Sequence, residues 1–195
     1  LTGSTISEYL GLSRSYPETT CCLPGTCLFA DGRQWHMGNT SVTLPKSTLD
    51  LITSYSPAYD GEHILLLENK EHYVTAMNLG THTLFSGYCY LGGYPNRADE
   101  ALIELLVRSG VKISVFCDLD PSGLLIAQQV IRQSSSSIEP YHMDTATYLN
   151  YLAFGYALQA SELSKLSGIE IPQLRSTAEL IKYHSVGVEQ EIILI

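Results

Sequence analysis

Three carboxylates stand where a folded chain could use them together. Glu68 follows the apolar run Ile64-Leu-Leu-Leu67, and Asp118 and Asp120 follow Val111-Lys-Ile-Ser-Val-Phe-Cys117. The first run reads as a parallel strand covered on both faces, and the second alternates into a strand. Ligands of open parallel sheets gather at the carboxyl ends of strands, so these separate segments can converge on one edge. Carboxylates gathered there repel one another unless a cation neutralises them. Hard oxygen donors of this kind suit Mg²⁺ or Mn²⁺, which serve phosphate chemistry by neutralising charge and orienting the attacking and leaving oxygens. Asp118-Leu-Asp120 puts both carboxylates on one side while the chain stays extended. An isolated DxD is equally a solvated turn or a helix cap, and the pairing with Glu68 is what makes the pattern informative. Pro121-Ser122-Gly123 then allows a tight turn into a helix whose first amides can receive an anion such as phosphate.

The elements that must position these residues alternate from residue 62 onward. Residues 70–79 are helix-compatible, Thr83 to Ser86 reads as a second short strand, and Asn96 to Ser109 carries Ala98, Leu102, Leu105 and Leu106 at helical spacing. Gly110 ends that helix, and Pro121 opens another that runs to about Gln133. Ser134 to Ser137 reads as a loop, and Ile138 to Met143 as a weak fourth strand. This β-α-β-α-β-α-β order predicts an α/β fold, a Rossmann-like three-layer core with a central parallel sheet flanked by helices. From Asp144, a plausible N-cap, the chain reads as mostly helical, with a helix through Ala153. A second helix reaches Tyr183, with capping-box spacing in Ser176-Thr-Ala-Glu179.

The first sixty residues differ in texture. Cys27-Leu-Phe-Ala and Arg33-Gln-Trp-His predict two short strands about an Asp31-Gly32 turn. Ser41 to Leu44 adds a third strand ended by Pro45, Ser47 or Thr48 could cap a short helix through Ile52, and Ser54 to Gly61 is the best linker candidate. The expected division is therefore a small β-rich segment over 1–60, a core over 62–144 and a helical extension over 145–195. The chain begins at Leu1 rather than Met and reads as a fragment of a longer protein.

Its 195 residues include 20 Asp and Glu against 11 Lys and Arg, a formal charge of −9. Such a balance excludes a broad basic surface that holds nucleic acid unaided, because that binding draws on phosphate neutralisation. No apolar run approaches the roughly 18 residues that cross a bilayer, so no membrane contact and a cytoplasmic location are expected. Cys21, Cys22 and Cys27 lack a second CxxC or an HxxxH to complete a zinc site, while Cys89 and Cys117 lie in apolar surroundings and read as buried thiols. The six histidines, at 36, 63, 72, 82, 142 and 184, have no metal-ligand spacing. A Rossmann-like nucleotide-binding enzyme is disfavoured, since neither GxGxxG nor a Walker A sequence follows the first strand.

One set of motifs carries a family resemblance. Ile64-Leu-Leu-Leu-Glu68-Asn69, Gly92-Gly93-Tyr94-Pro95 and Phe116-Cys-Asp118-Leu-Asp120-Pro121-Ser-Gly123-Leu-Leu-Ile126-Ala127 together resemble a TOPRIM domain, the module shared by topoisomerases, primases and several nucleases. Within that superfamily they are similar to the branch holding the topoisomerase VI A subunit and the JetD-like nucleases of Wadjet plasmid-defence systems. Met143-Asp144 and Val188-Glu-Gln-Glu191-Ile192 favour the JetD-like side. The resemblance covers about residues 62–144, with weaker support to 195, and none of residues 1–60.

The resemblance implies Mg²⁺-dependent (or Mn²⁺-dependent) DNA cleavage, with Asp118 and Asp120 holding the cation and Glu68 serving as a ligand or as general acid and base. Substrate-binding candidates are Lys70, Gly93, Arg97, Ser122 and Gly123. Lys70 could touch a phosphate or be a solvated Lys on a first helical turn, and Arg97 could contact phosphate or form a surface salt bridge. Tyr94 could face the site or pack. No tyrosine sits in a helix-turn-helix context of the kind that strand transfer through a tyrosyl link requires, so hydrolysis fits better than transesterification. Expected partners are DNA, gripped with help from upstream domains or partner subunits, and a second copy in a homodimer. The alternative is a non-catalytic TOPRIM-like scaffold for dimerisation or partner binding, which the scarcity of basic residues near the carboxylates supports.

Overall fold

A computed structural model describes residues 17–58, 63–79, 84–133 and 138–193. Strand β1 (Glu18–Cys22) is followed by β2 (Gly25–Phe29), β3 (Gln34–Met37), β4 (Val42–Pro45), a single helical turn α1 (Lys46–Leu49) and β5 (Ile52–Pro57). The alternating part comprises β6 (His63–Leu67), α2 (Lys70–Leu79), β7 (Gly87–Tyr90), α3 (Arg97–Arg108), β8 (Lys112–Phe116), α4 (Pro121–Arg132) and β9 (Ile138–Pro140). Then come α5 (Thr145–Tyr151), β10 (Tyr156–Ala157), α6 (Ala160–Leu163), α7 (Pro172–His184) and β11 (Val186–Gly187), with 3₁₀ turns at Leu152–Phe154, Ser164–Gly168 and Gln190–Ile192.

The main sheet has six strands in the order β4-β1-β7-β6-β8-β9. Its β7-β6-β8-β9 portion is parallel, whereas β1 joins β7, and β4 joins β1, in antiparallel sense. The sheet is thus mixed rather than wholly parallel. Pairing with β1 gives the backbone groups along the outer side of β7 partners that an edge strand would lack, and it brings two strands from before residue 60 into the same sheet as the later ones. The second strand of the alternating part lies at Gly87–Tyr90 rather than Thr83–Ser86, where Tyr88 and Cys89 supply the bulk that the sheet buries.

The remaining strands of the first part form a separate antiparallel sheet, β3-β2-β5. Its β2–β3 hairpin turns at Asp31-Gly32 as the sequence suggests, with Gly32 at φ 84°. Two other expectations change. The helix after Pro45 stops at Leu49, and residues 52–57, expected to close that helix and open a linker, pair instead with β2. Ile52 and Tyr55 are apolar anchors on this strand, both 2% exposed, so the pull of the core outweighs the turn-rich composition around Pro57. Residues 59–61 of the proposed linker and the Ser134–Ser137 loop lie outside the described residues.

The core forms where the sequence is most apolar. Ile64 to Leu67 of β6 are fully buried, as are Ile113, Val115 and Phe116 of β8. Helix α3 begins in a capping box: the Asn96 side chain accepts the Ala98 N–H at 2.7 Å while Asp99 accepts the Asn96 N–H at 2.8 Å. Asp144 caps α5 as its type and position suggest, accepting from the N–H groups of Ala146 and Thr147. Helix α7 starts earlier than Ser176, at Pro172, because proline at the first helical position needs no N–H partner. The short β10–β11 ribbon interrupts the expected helical extension. Among the described residues no helix is long and apolar enough to cross a membrane.

Candidate active site

Adjacent parallel pairing of β6 and β8, with Leu67 opposite Phe116, brings the residues that follow each strand side by side. The Asp118 N–H donates to Glu68 Oε2 at 3.2 Å, so the Glu68 carboxylate lies against the Asp118 backbone at the sheet edge. Burial pushes Glu68 up to about 7, with the Asp118 charge adding to it. Asp118 rises to about 6, again through burial first, partly offset by the Gln190 N–H and raised further by Asp120, Glu191 and Glu189. Groups this close titrate as a pair rather than singly.

Asp120 belongs to the same field of charge but points elsewhere. Its Oδ1 accepts the Gly123 N–H at 2.7 Å, making it the N-cap of α4, and its Oδ2 accepts the Tyr156 hydroxyl at 2.9 Å. The helix-cap alternative for this DxD is therefore realised at its second position. Gly123 is demanded by space: a Cβ there would lie 2.2 Å from the Asp118 carbonyl oxygen. Any side chain at 123 would push the Asp118 backbone away from Glu68.

A cleft of about 330 Å³ opens over the pair, lined by Glu68, Asn69, Lys70, Glu71, Tyr90, Gly92, Gly93, Asp118 and Glu191. Lys70 and Gly93 of the sequence-predicted set thus line it. At φ 119° Gly93 occupies backbone space that favours glycine. Arg97 stands exposed on the first turn of α3, outside the lining. Ser122 lies on the first turn of α4 and receives the Lys165 ammonium at 3.4 Å. Tyr94, read as facing the site or packing, is 56% exposed and does neither.

Four residues of the site are absent from the set that the sequence suggests. Gln190 is fully buried and spans both strand ends: its N–H donates to Asp118 Oδ1 at 2.6 Å, its Nε2 to the Phe116 carbonyl at 3.2 Å, and its Oε1 accepts the Asn69 N–H at 2.9 Å. Val188 exchanges two backbone hydrogen bonds with Leu119, which docks this segment beside Asp118. Glu191, next to Gln190, accepts from the Asn69 amide and reaches the cleft. Their signal was the Glu-Gln-Glu string, used only as a mark of resemblance. Tyr156 carried no local signal at all, because it reaches Asp120 only through the β10–β11 ribbon. A Cβ on Gly187 would lie 2.9 Å from the Tyr156 ring, so glycine there lets the ring lie close.

The donors suit a hard divalent cation in kind, since carboxylate oxygens are the ligands such an ion takes. In arrangement, no three His, Cys, Asp or Glu side chains among the described residues meet as a ready-made metal cluster. Glu68 and Asp118 are the two that the fold presents together, with Glu191 at the rim and Asp120 held by its cap and by Tyr156.

Residues 43–195 match the model of a family described as "Protein of unknown function C-terminus (DUF2399)". The chain is also similar to the Wadjet protein JetD of Bacillus cereus (strain Q1), with 31% identity over 141 residues that cover 68% of this chain and 34% of that protein. The chain thus spans about a third of the length of the curated relative it matches.

Proposed function

The chain belongs to the DUF2399 family, and on that premise we propose that it is the DNA-cleaving part of a TOPRIM-type nuclease serving a defence system. The observation that carries this reading is the meeting of Glu68 and Asp118 at the carboxyl ends of adjacent parallel strands, both held up first by burial and then by the charge of neighbouring carboxylates. Similarity to a Wadjet protein supports the defence role and makes partner subunits reasonable. DNA binding draws on those partners or on further domains, given the −9 charge of this chain.

Glu68 and Asp118 are the residues that would hold Mg²⁺ or Mn²⁺, with Glu191 or Asp120 completing the set. When bound, the cation supplies charge neutralisation at the scissile phosphate. The chain's own groups do the rest. Lys70, on the first turn of α2 at the cleft wall, offers an ammonium to a non-bridging phosphate oxygen. Gly92 and Gly93 let the strand backbone come close to the sugar-phosphate chain. Where Glu68 is left off the cation, it can instead take a proton at its carboxylate from an attacking water or return one to a leaving oxygen, since burial favours its protonated form. Gln190 fixes the distance between the two strand ends on which Glu68 and Asp118 stand.

The test is supercoiled-plasmid nicking by the full-length protein with its partner subunits, in Mg²⁺ or Mn²⁺. Activity that disappears with chelator and in Glu68→Ala and Asp118→Ala variants supports the reading; no cleavage of any DNA topology with either metal sinks it. The rival reading, a non-catalytic scaffold for dimerisation or partner binding, draws support from Asp120, whose two oxygens are both already engaged. Calorimetry decides between them, since a folded chain that takes up neither Mg²⁺ nor Mn²⁺ is a scaffold.

A further inference from the structure

A second hollow adjoins the acidic cleft and differs from it in chemistry. It measures about 350 Å³ and is lined by Lys70, Tyr73, Val74, Met77, Asn78 and Tyr90, with Thr20 and Ser41 at its margin. Lys70 and Tyr90 belong to the walls of both hollows, so the two are continuous through these side chains. The acidic cleft presents carboxylates, whereas this one presents two tyrosine rings, their centroids 6.1 Å apart, and the apolar Val74 and Met77. The Tyr73 ring is fixed, 4% exposed and with its hydroxyl 2.7 Å from Ser41 Oγ. Val74, by contrast, is an apolar side chain left 45% exposed at the rim.

We propose that this hollow receives one unstacked nucleobase of the strand whose phosphate sits at Lys70. The proposal rests on reading the acidic cleft as the phosphodiester site, and it adds a substrate class: DNA that is single-stranded or can release a base near the point of attack. A nucleotide is a flat apolar-faced base joined to an anion, and the two hollows offer that sequence of chemistries around one shared lysine. The half-buried Tyr90 ring, backed by Tyr73, and the Met77 thioether take the base by stacking and dispersion, while Asn78 and Thr20 can meet its polar edge. A base still paired inside a duplex cannot enter such a hollow without leaving its stack. Lys70 also explains why a nucleic acid suits this place better than an apolar side chain of a protein, which would gain nothing from the ammonium beside it.

The experiment measures fluorescence anisotropy of a short labelled single-stranded deoxyoligonucleotide, and of the same strand made abasic throughout, with Ca²⁺ in place of Mg²⁺. Val74→Trp fills the hollow from an exposed helix position, and Val74→Ala opens it, each checked for an unchanged melting temperature. Wild type and Val74→Ala should bind the base-bearing strand about tenfold more tightly than the abasic one, as stacking on aromatic rings implies, and Val74→Trp should abolish the difference. Equal affinity for the two strands, no binding of either, or a preference that survives Val74→Trp overturns the proposal. So does a leucine-rich peptide that competes for the hollow where the bases do not, which would assign it to a protein partner. Nicking of plasmid by the wild type is scored separately: base-dependent binding without nicking keeps the base site and removes the cleavage reading, and nicking without base preference does the reverse.

Discussion

Two acids, Asp99 buried and Asp118 half-buried, sit in this fold in opposite circumstances. Asp99, 1% exposed on the first turn of α3, is raised by burial yet receives the Asn96 N–H at 2.8 Å and lies where the positive end of a helix favours an anion. Asp118 is raised by burial as well, but it faces Glu68, Asp120 and the two glutamates of the 188–192 segment. Desolvation is the leading cause in both places. What differs is the neighbour: Asp99 completes a helix, while Asp118 raises Glu68 and is itself raised by Asp120, Glu191 and Glu189. A carboxylate that stabilises its own element is structural, and a pair raised by its neighbours' charge is where the proposed cation would have its effect.

That contrast can be broken most decisively with metal. Mn²⁺ at about a hundred times its dissociation constant should stabilise the wild type by about 2.7 kcal/mol, an effect expected to vanish in Asp118→Asn and to persist in Asp99→Ala. Differential scanning fluorimetry across a metal titration checks it, and equal responses of both variants would erase the distinction. Next in size, Asp99→Ala should cost about 1–2 kcal/mol in urea unfolding through loss of its cap. Asp118→Asn in chelator at pH 8 should be neutral or stabilising, because it removes a charge that repels Glu68.

The smallest expected effect is a slope. In metal-free protein Glu68 moves from 4.5 to about 7 and Asp118 from 3.8 to about 6. Between about pH 4 and pH 7 the folded chain therefore holds protons that the unfolded chain has released, and stability falls as pH rises through that window. The penalty is absent below it and complete above it. Glu68→Gln should flatten the fall between about pH 4.5 and pH 7, read from urea midpoints at intervals across the range; a fall of unchanged steepness would mean that other groups carry it.

Much of this was visible in the residues themselves. The run Ile64 to Leu67 announces a buried strand, Val111 to Cys117 another, and a carboxylate after each follows from strand-end geometry alone. Asn96 and Asp144 declare their helices by cap chemistry, which is local. What stayed hidden depends on partners distant in the chain. Nothing in Glu18 to Cys22 says that it will lie beside β7, since short strands of modest hydrophobicity gain their place only by pairing. Asp120 stays near Glu68 and Asp118, but one of its oxygens is engaged by Tyr156, 36 residues later. Gln190 reads as a polar residue in a polar string, and its burial between two strand ends exists only once the sheet is assembled.

The bridging glutamine also bears on how fast this centre comes into being. Its bonds join positions 121 residues apart at Asn69 and 72 apart at Asp118, contacts of high sequence separation that carry a large loop-closure entropy and are slow to form. Helices α3 and α4, capped by their own neighbours, can precede it. The carboxylate pair is then set to its final spacing late in folding, and a chain that has collapsed and gained most of its secondary structure would still lack an ordered carboxylate edge.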